Sequence, residues 1–353
     1  MIYVLFVCMY YMGMKSFDIV YFGLLSLAIS FVLYMGIDFA NAQVESYKYI
    51  VYKYGNTTNA LNSFTGNVDY SGTDAGLVIS QAEATFYPNA GAVIVKCGNY
   101  NLYSQIQLWK SASLYGEGID CTVFKREFNA TIPQMIRATP SYQGYNGYTN
   151  LKDFTIDGNF GHSNATLEMS IAGNGSVFNI KAINYNGIAL ELDNNAELNH
   201  YIAIGVNSPT KGSVEGLWTA PNSKILMTNS DIENNRLAAI FAQGNDTIIS
   251  GSYFSHNHCQ TSPTGGGQVA LVYGGMIANN IIKNGCGSVT SGIETNYGTY
   301  IITGNIITGN QNNGISTNGQ ISTIISSNNY LKGNGHAISS LGSAMLYESN
   351  DVK

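Results

Sequence analysis

Charge is what this chain has least of. Only 11% of its 353 residues are charged, 16 basic against 22 acidic, which leaves a net charge of −6. The basic residues form no patch. Nucleic acid is therefore excluded as a partner, because phosphate binding needs clustered Lys and Arg. Proline is scarce as well, at 6 residues. Hydrophobic residues make up 45%, too many for a disordered protein and ample for a sizeable core. Glycine, by contrast, is abundant at 39, and Asn, Ser and Thr crowd the second half. That profile suits many short strands joined by tight turns, where Gly and Asn take positive φ at low cost.

The most apolar stretch is the first forty-odd residues. Met1 to Met14 is too short to span a bilayer, which needs about 20 apolar residues. Lys15 and Asp18 interrupt it, and an apolar run from Ile19 to Ile37 follows. The run closes on Ala40-Asn41-Ala42, a small-residue cleavage site. Residues 1–42 read as a secretory signal peptide, with Met12 or Met14 as a conventional start, or as an uncleaved membrane anchor. Either reading places the rest of the chain outside the cytoplasm, secreted or on the cell surface. Any membrane association would then run only through this leader. Asn-x-Ser/Thr sequons at Asn56, Asn129, Asn164, Asn174 and Asn245 agree with export.

Internal similarity identifies the fold. The run Ile302-Thr303-Gly304-Asn305-Ile306-Ile307-Thr308-Gly309-Asn310 repeats Ile277-Ala278-Asn279-Asn280-Ile281-Ile282-Lys283-Asn284-Gly285. Related segments surround Asp231-Ile232-Glu233, Tyr253-Phe254-Ser255 and Tyr330-Leu331-Lys332, with fainter copies at Ile156 and Ile183. A recurrence of roughly 22 to 28 residues fits a coil of three short strands and three turns. Ile156, Ile183, Ile232, Phe254, Ile282, Ile307 and Leu331 form an apolar column expected to face the core. Three positions on stand Asn159, Asn186, Asn235, Asn257, Gly285, Asn310 and Asn334, a column whose amides can bond as a ladder. The expectation is an all-β chain, a single-stranded right-handed parallel β-helix over residues 91–350. A lead segment and short capping α-helix occupy residues 43–90. Asp74 is the expected N-cap, and Leu77, Val78, Gln81, Ala82 and Thr85 follow helical spacing.

Of five cysteines, Cys8 lies in the leader. Cys97 and Cys121 are one coil apart, as are Cys259 and Cys286. Coils stack about 4.8 Å apart, within the Cα spacing a disulfide requires. Both pairs are expected to bridge, free buried thiols being the alternative.

The segment Gly72-Thr73-Asp74 to Ala82, then Ala92-Val93-Ile94-Val95-Lys96-Cys97-Gly98-Asn99-Tyr100, resembles the N-terminal signature of the pectate-lyase-like superfamily. Its continuation through Leu114-Tyr115-Gly116-Glu117-Gly118 to Phe124 does so too. The resemblance implies a helix-capped β-helix acting on polysaccharide as a lyase, hydrolase or epimerase, or binding it without catalysis. The Asn-Thr-Asp, Asp-Asp and Gly-His-Gly set of polygalacturonases is missing, and so are the Arg-rich and Trp-x-Asp-His motifs of pectate lyases. This speaks against pectin cleavage itself.

One neighbourhood concentrates reactive side chains. Asp231 and Glu233 flank the core residue Ile232, so both carboxylates are expected to point outward. Tyr253 and Ser255 stack one coil later, followed by His256 and His258, with Lys283 a coil further and Arg236 beyond the Asn column. Paired carboxylates can act as acid and base on a glycosidic bond, and His or Lys beside a carboxylate can abstract a sugar proton. Asp231, Glu233 and His256 are the expected catalytic residues. Arg236, Tyr253, His258 and Lys283 are expected to bind substrate, helped by Tyr145 in a Tyr-rich loop and by Trp218 in an insertion from Gly205 to Asn222 that also holds Lys211 and Glu215. The alternative is that these are solvated surface groups. The His and carboxylate spacing matches no compact metal-ligand motif, and no cofactor is called for. The expected function is an exported protein that binds polysaccharide, with lyase- or glycosidase-like cleavage left open, the alternative a non-catalytic glycan-binding or adhesin-like surface protein.

Overall fold

Short strands with alternating apolar residues cannot bury their inner side alone; winding them into stacked coils does so. The computed structural model describes residues 48–353 other than 87–89, 110, 128–129, 131, 140–146, 160–166, 206–213, 222, 260–265, 289, 319–321 and 341–344. The apolar leader, the Tyr145 loop and the sequons at Asn129 and Asn164 lie outside the described residues. From Gly91 onward each coil contributes strands to three faces, and every strand pairs in parallel with its counterpart one coil away. The first face contains Gly91–Val95, Ala112–Tyr115, Ile225–Thr228 and Gly298–Thr303. Asp231–Glu233, Tyr253–Ser255, Ile281–Lys283 and Ile306–Thr308 belong to the second. Ile188–Leu192, Glu215–Thr219, Thr290–Thr295 and Asn313–Thr317 belong to the third.

The second-face core column runs Tyr100, Phe124, Ile156, Ala182, Ala203, Ile232, Phe254, Ile282, Ile307 and Leu331, all buried. One expected member is corrected. Ile183 pairs with Asp157 and stands partly exposed, while Ala182 takes the inward place. The large Ile183 side chain misled the reading by one residue, and one residue reverses the face of a strand.

Turns follow from the same residues. Between first and second faces the left-handed residue is Asp153, Asn179, His200, Asn229, Gly251, Asn279, Gly304 or Asn328, and after the second face it is Asn184, Asn234, His256, Asn284, Gly309 or Gly333. Gly and Asn take this conformation most cheaply, which explains why they predominate. His256 is the exception in its column, at φ 52°.

Two amide ladders bond successive turns. One was expected: Asn235 Nδ2 donates to Asn257 Oδ1 at 2.9 Å, and Asn310 Nδ2 to Asn334 Oδ1 at 3.0 Å. Gly285 leaves a gap between them. Gln268, reaching in from the third face, fills it: its Oε1 accepts from Asn257 Nδ2 at 3.1 Å and its Nε2 donates to Asn310 Oδ1 at 2.7 Å. In the preceding coils Tyr185, fully buried, takes the ladder position in place of Asn186, and its hydroxyl donates to Asn235. The second ladder joins Asn280, Asn305, Asn329 and Asn350 at the first turn.

At the N-terminal end, Tyr49–Tyr54, Thr57–Asn62 and Val68–Gly72 form an antiparallel meander, and Tyr49–Tyr54 also pairs in parallel with Gly91–Val95. Helix α1, Ala75–Ala84, begins at Asp74, whose carboxylate accepts from Gly76 N at 3.0 Å and from the Tyr103 and Ser104 amides. Ala75, Val78, Ile79 and Ala82 join the core, whereas Leu77 is half exposed and Gln81 exposed. Disulfides bridge Cys97 to Cys121 and Cys259 to Cys286, with Cα separations of 4.7 and 4.6 Å.

Candidate functional site

The second face presents the carboxylates singled out above. Strand alternation around buried Ile232 turns Asp231 and Glu233 outward. Asp231 Oδ1 is buried without a hydrogen-bond partner. Burial first, then the neighbouring Glu233 charge and side chain, push the Asp231 carboxyl up to about 6. In register one coil on, Tyr253 lies beside Asp231 and buried Ser255 beside Glu233. Lys283 follows Ser255, and its ammonium sits 4.9 Å from the centre of the Tyr253 ring. The bond to the Tyr253 hydroxyl raises the Lys283 pKa.

The remaining expected groups divide. His256 is exposed at the turn, its Nδ1 3.0 Å from Ser255 Oγ. Arg236 is half-buried, with Nε unpartnered. His258 is not on the surface: it is 6% exposed, its Nδ1 lies 3.2 Å from Thr290 Oγ1, and its ring closes over Gly266. Burial lowers its pKa, so it packs the interior rather than offering a charge to substrate. Trp218 is not on an irregular loop; it stands on the strand Glu215–Thr219 of the third face.

That position exposes a second group of residues. On the third face, Leu190 and Leu192, Leu217 and Thr219, and Ile240 and Ala242 are buried. Alternation therefore turns Glu191, Trp218 and Phe241 outward, and these three are in register on consecutive coils. Neighbouring coils lie about 4.8 Å apart, so an indole is flanked by a carboxylate on one side and a phenyl ring on the other. Glu215 opens the Trp218 strand, and burial pushes its carboxyl up to about 7. Burial and the adjacent Asp193 raise Glu191, and burial raises Asp193. Further along the column Glu294 is raised by burial, opposed by the bond from Asn318 Nδ2 at 2.6 Å. Glu191, Phe241 and Glu294 escaped the sequence reading because third-face strands lack the Asn signature. Coil-length spacing between Glu191-Leu192, Trp218-Thr219 and Phe241-Ala242 was the available signal.

Among the described residues one His, Cys, Asp and Glu cluster has metal-like spacing, Cys97, Glu117 and Cys121, and its two sulfurs are bonded to each other.

Comparison with known proteins agrees with this architecture. Residues 199–352 match the model of a family described as a right handed beta helix region. A mutant tailspike protein of E. coli bacteriophage HK620, solved with a pentasaccharide, aligns with a TM-score of 0.58 at 15% identity, covering 82% of this chain and 63% of its own. The A-module of the mannuronan C-5 epimerase AlgE6 of Azotobacter vinelandii aligns with a TM-score of 0.45 at 13% identity, covering 79% and 95%. DFA-IIIase of Arthrobacter chlorophenolicus A6, in complex with GF2, gives 0.47 at 11%, covering 78% and 89%. No curated protein sequence matches. The chain is a right-handed parallel β-helix.

Proposed function

We propose that this β-helix binds a polysaccharide along its third face and processes it there by acid–base chemistry. The carrying observation is Trp218, held in register between Glu191 and Phe241 on the same coil as a Glu215 carboxyl near neutrality. Aromatic rings stack on the apolar faces of sugars, and carboxylates accept from their hydroxyls. A carboxyl whose pKa lies near 7 is half-protonated at neutral pH, as a general acid on a leaving oxygen requires. Glu191 and Asp193 supply the second carboxylate on the adjoining coil. The saccharide-bound tailspike shares this fold, which makes a glycan the natural occupant of an outward β-helix face.

We place the protein outside the cytoplasm. The reading rests on the leader and on two disulfides, which persist in oxidising compartments.

The test is a screen of acidic and neutral polysaccharides for binding, reducing ends and unsaturated products. Trp218→Ala is expected to weaken binding at least tenfold, and Glu215→Gln to abolish product while leaving binding intact. Binding without product would leave a glycan-binding surface protein. Activity lost in Asp231→Ala/Glu233→Ala but kept in Trp218→Ala and Glu215→Gln would move the site to the second face.

A further inference from the structure

The first face carries an outward apolar column of six residues, longer than the one on the second face, where Tyr253, Ile281, Ile306 and Tyr330 are in register. Leu226, Ile248, Met276, Ile301, Ile325 and Tyr347 are in register on six consecutive coils. All but Met276 are between 37% and 60% exposed: Leu226 38%, Ile248 39%, Ile301 41%, Ile325 41% and Tyr347 59%. The outward positions beside them, Thr228, Ser250, Ala278, Thr303 and Ser327 on one side and Thr299 and Thr323 on the other, are small and uncharged. Charge enters at one edge, where Lys224 and Asp246 neutralise each other at 3.1 Å, and at the two ends, where exposed Glu197 precedes Leu226 in the column and exposed Glu348 follows Tyr347. A single exposed Ile needs no explanation, but a stripe of six does, since soluble proteins seldom leave contiguous apolar patches open.

The ends of the stripe differ. At the Leu226 end lies an open cavity of about 530 Å³ with Leu226 and Ile248 in its lining and Tyr148 and Glu197 among its walls. At the other end of the column stands Tyr347, its most exposed member. An open cavity at one end and an exposed aromatic ring at the other are complementary to each other.

We infer that the first face is the contact surface of an antiparallel two-fold dimer of this chain, in which Tyr347 of each copy enters the Leu226–Ile248 cavity of the other. A two-fold contact brings the same patch of both copies together. With the axis between Met276 and Ile301, Leu226 meets Tyr347, Ile248 meets Ile325 and Met276 meets Ile301 across the interface. Six coils at about 4.8 Å and three outward columns roughly 7 Å apart give about 600 Å² per copy, or about 1,200 Å² in all. That is the lower end for a specific interface, so the dimer is expected to dissociate on dilution. The third face remains free, so this inference stands or falls separately from the glycan reading.

Sedimentation of the disulfide-intact protein over a wide concentration range tests it. A monomer–dimer equilibrium is expected, shifted to monomer by Met276→Lys or Ile301→Lys with an unchanged far-UV spectrum. Oxidised Leu226→Cys/Tyr347→Cys is expected to form a covalent dimer, and each single variant none. A monomer at every concentration, a trimer, or cross-linking in either single variant, as parallel packing would give, overturns the assignment.

Discussion

Gln268 closes the gap that Gly285 leaves in the turn ladder, and its removal measures what the ladder contributes. Its Oε1 accepts from Asn257 N at 3.3 Å and Nδ2 at 3.1 Å, and its Nε2 donates to Lys283 O at 3.0 Å and Asn310 Oδ1 at 2.7 Å. In Gln268→Ala, Asn257 Nδ2 keeps Ile232 O and Asn310 Oδ1 keeps the Gly285 amide. The Asn257 amide loses the Gln268 acceptor in a fully buried turn. Three buried bonds and one part-buried bond at about 0.5–1.5 kcal/mol each, two of them long, together with the void left by the amide, give a loss of about 3–5 kcal/mol. Asn334→Ala, at the half-exposed end of the same ladder, should cost about 1–2 kcal/mol. Restoring an amide in sequence does not rescue the variant. A side chain at Gly285 would meet Thr290 Cγ2 at 2.6 Å, so Gln268→Ala/Gly285→Asn is expected to be no more stable than Gln268→Ala. Guanidinium unfolding followed by far-UV circular dichroism, with disulfides intact, gives the three values. A loss from Gln268→Ala no larger than that from Asn334→Ala, or rescue by Gly285→Asn, would refute a ladder continuous through Gln268.

Glu215 predicts a pH dependence. Its folded pKa of about 7 lies above the unfolded value, so its contribution is full below about pH 4.3 and is lost as pH rises through 7. Glu215→Gln should exceed the parent in melting temperature at pH 8 and approach it at pH 5, a differential on the order of 2–3 kcal/mol. The buried ion pair of Arg126 Nη2 with Glu168 Oε2, 2.5 Å apart with both side chains 1% exposed, makes a contrasting case. Arg126→Met strands a carboxylate and should cost about 3–5 kcal/mol, whereas Arg126→Met/Glu168→Leu should recover most of it in the same unfolding assay. Each disulfide closes a loop of about one coil, so replacing either pair with serine should cost about 3 kcal/mol. Alkylation of Cys97, Cys121, Cys259 or Cys286 in the absence of reductant, read by mass spectrometry, would contradict the pairing.

Much of the coil was legible because stacking makes sequence periodic. Ile232, Phe254, Ile282, Ile307 and Leu331 recur at coil length, as do Asn235, Asn257, Asn310 and Asn334, and both disulfide pairs sit one period apart. Where a residue substitutes for the pattern, periodicity misleads. Ala182 displaced the expected Ile183, Tyr185 the expected Asn186, and Gln268 served a position belonging to Gly285. The antiparallel meander of Tyr49–Gly72 lies before the first coil and carries no repeat to read.

Sequence by itself determined the winding, since a core column, left-handed Asn or Gly turns and coil-spaced cysteines each demand a neighbour one turn away. Tertiary structure alone decided which side chains share a face. Glu191, Trp218 and Phe241 are 27 and 23 residues apart along the chain yet lie in register, and buried His258 is two residues from exposed His256. The physical reason is that burial and pKa depend on how loops and neighbouring coils cover a position, whereas period and turn chemistry are local.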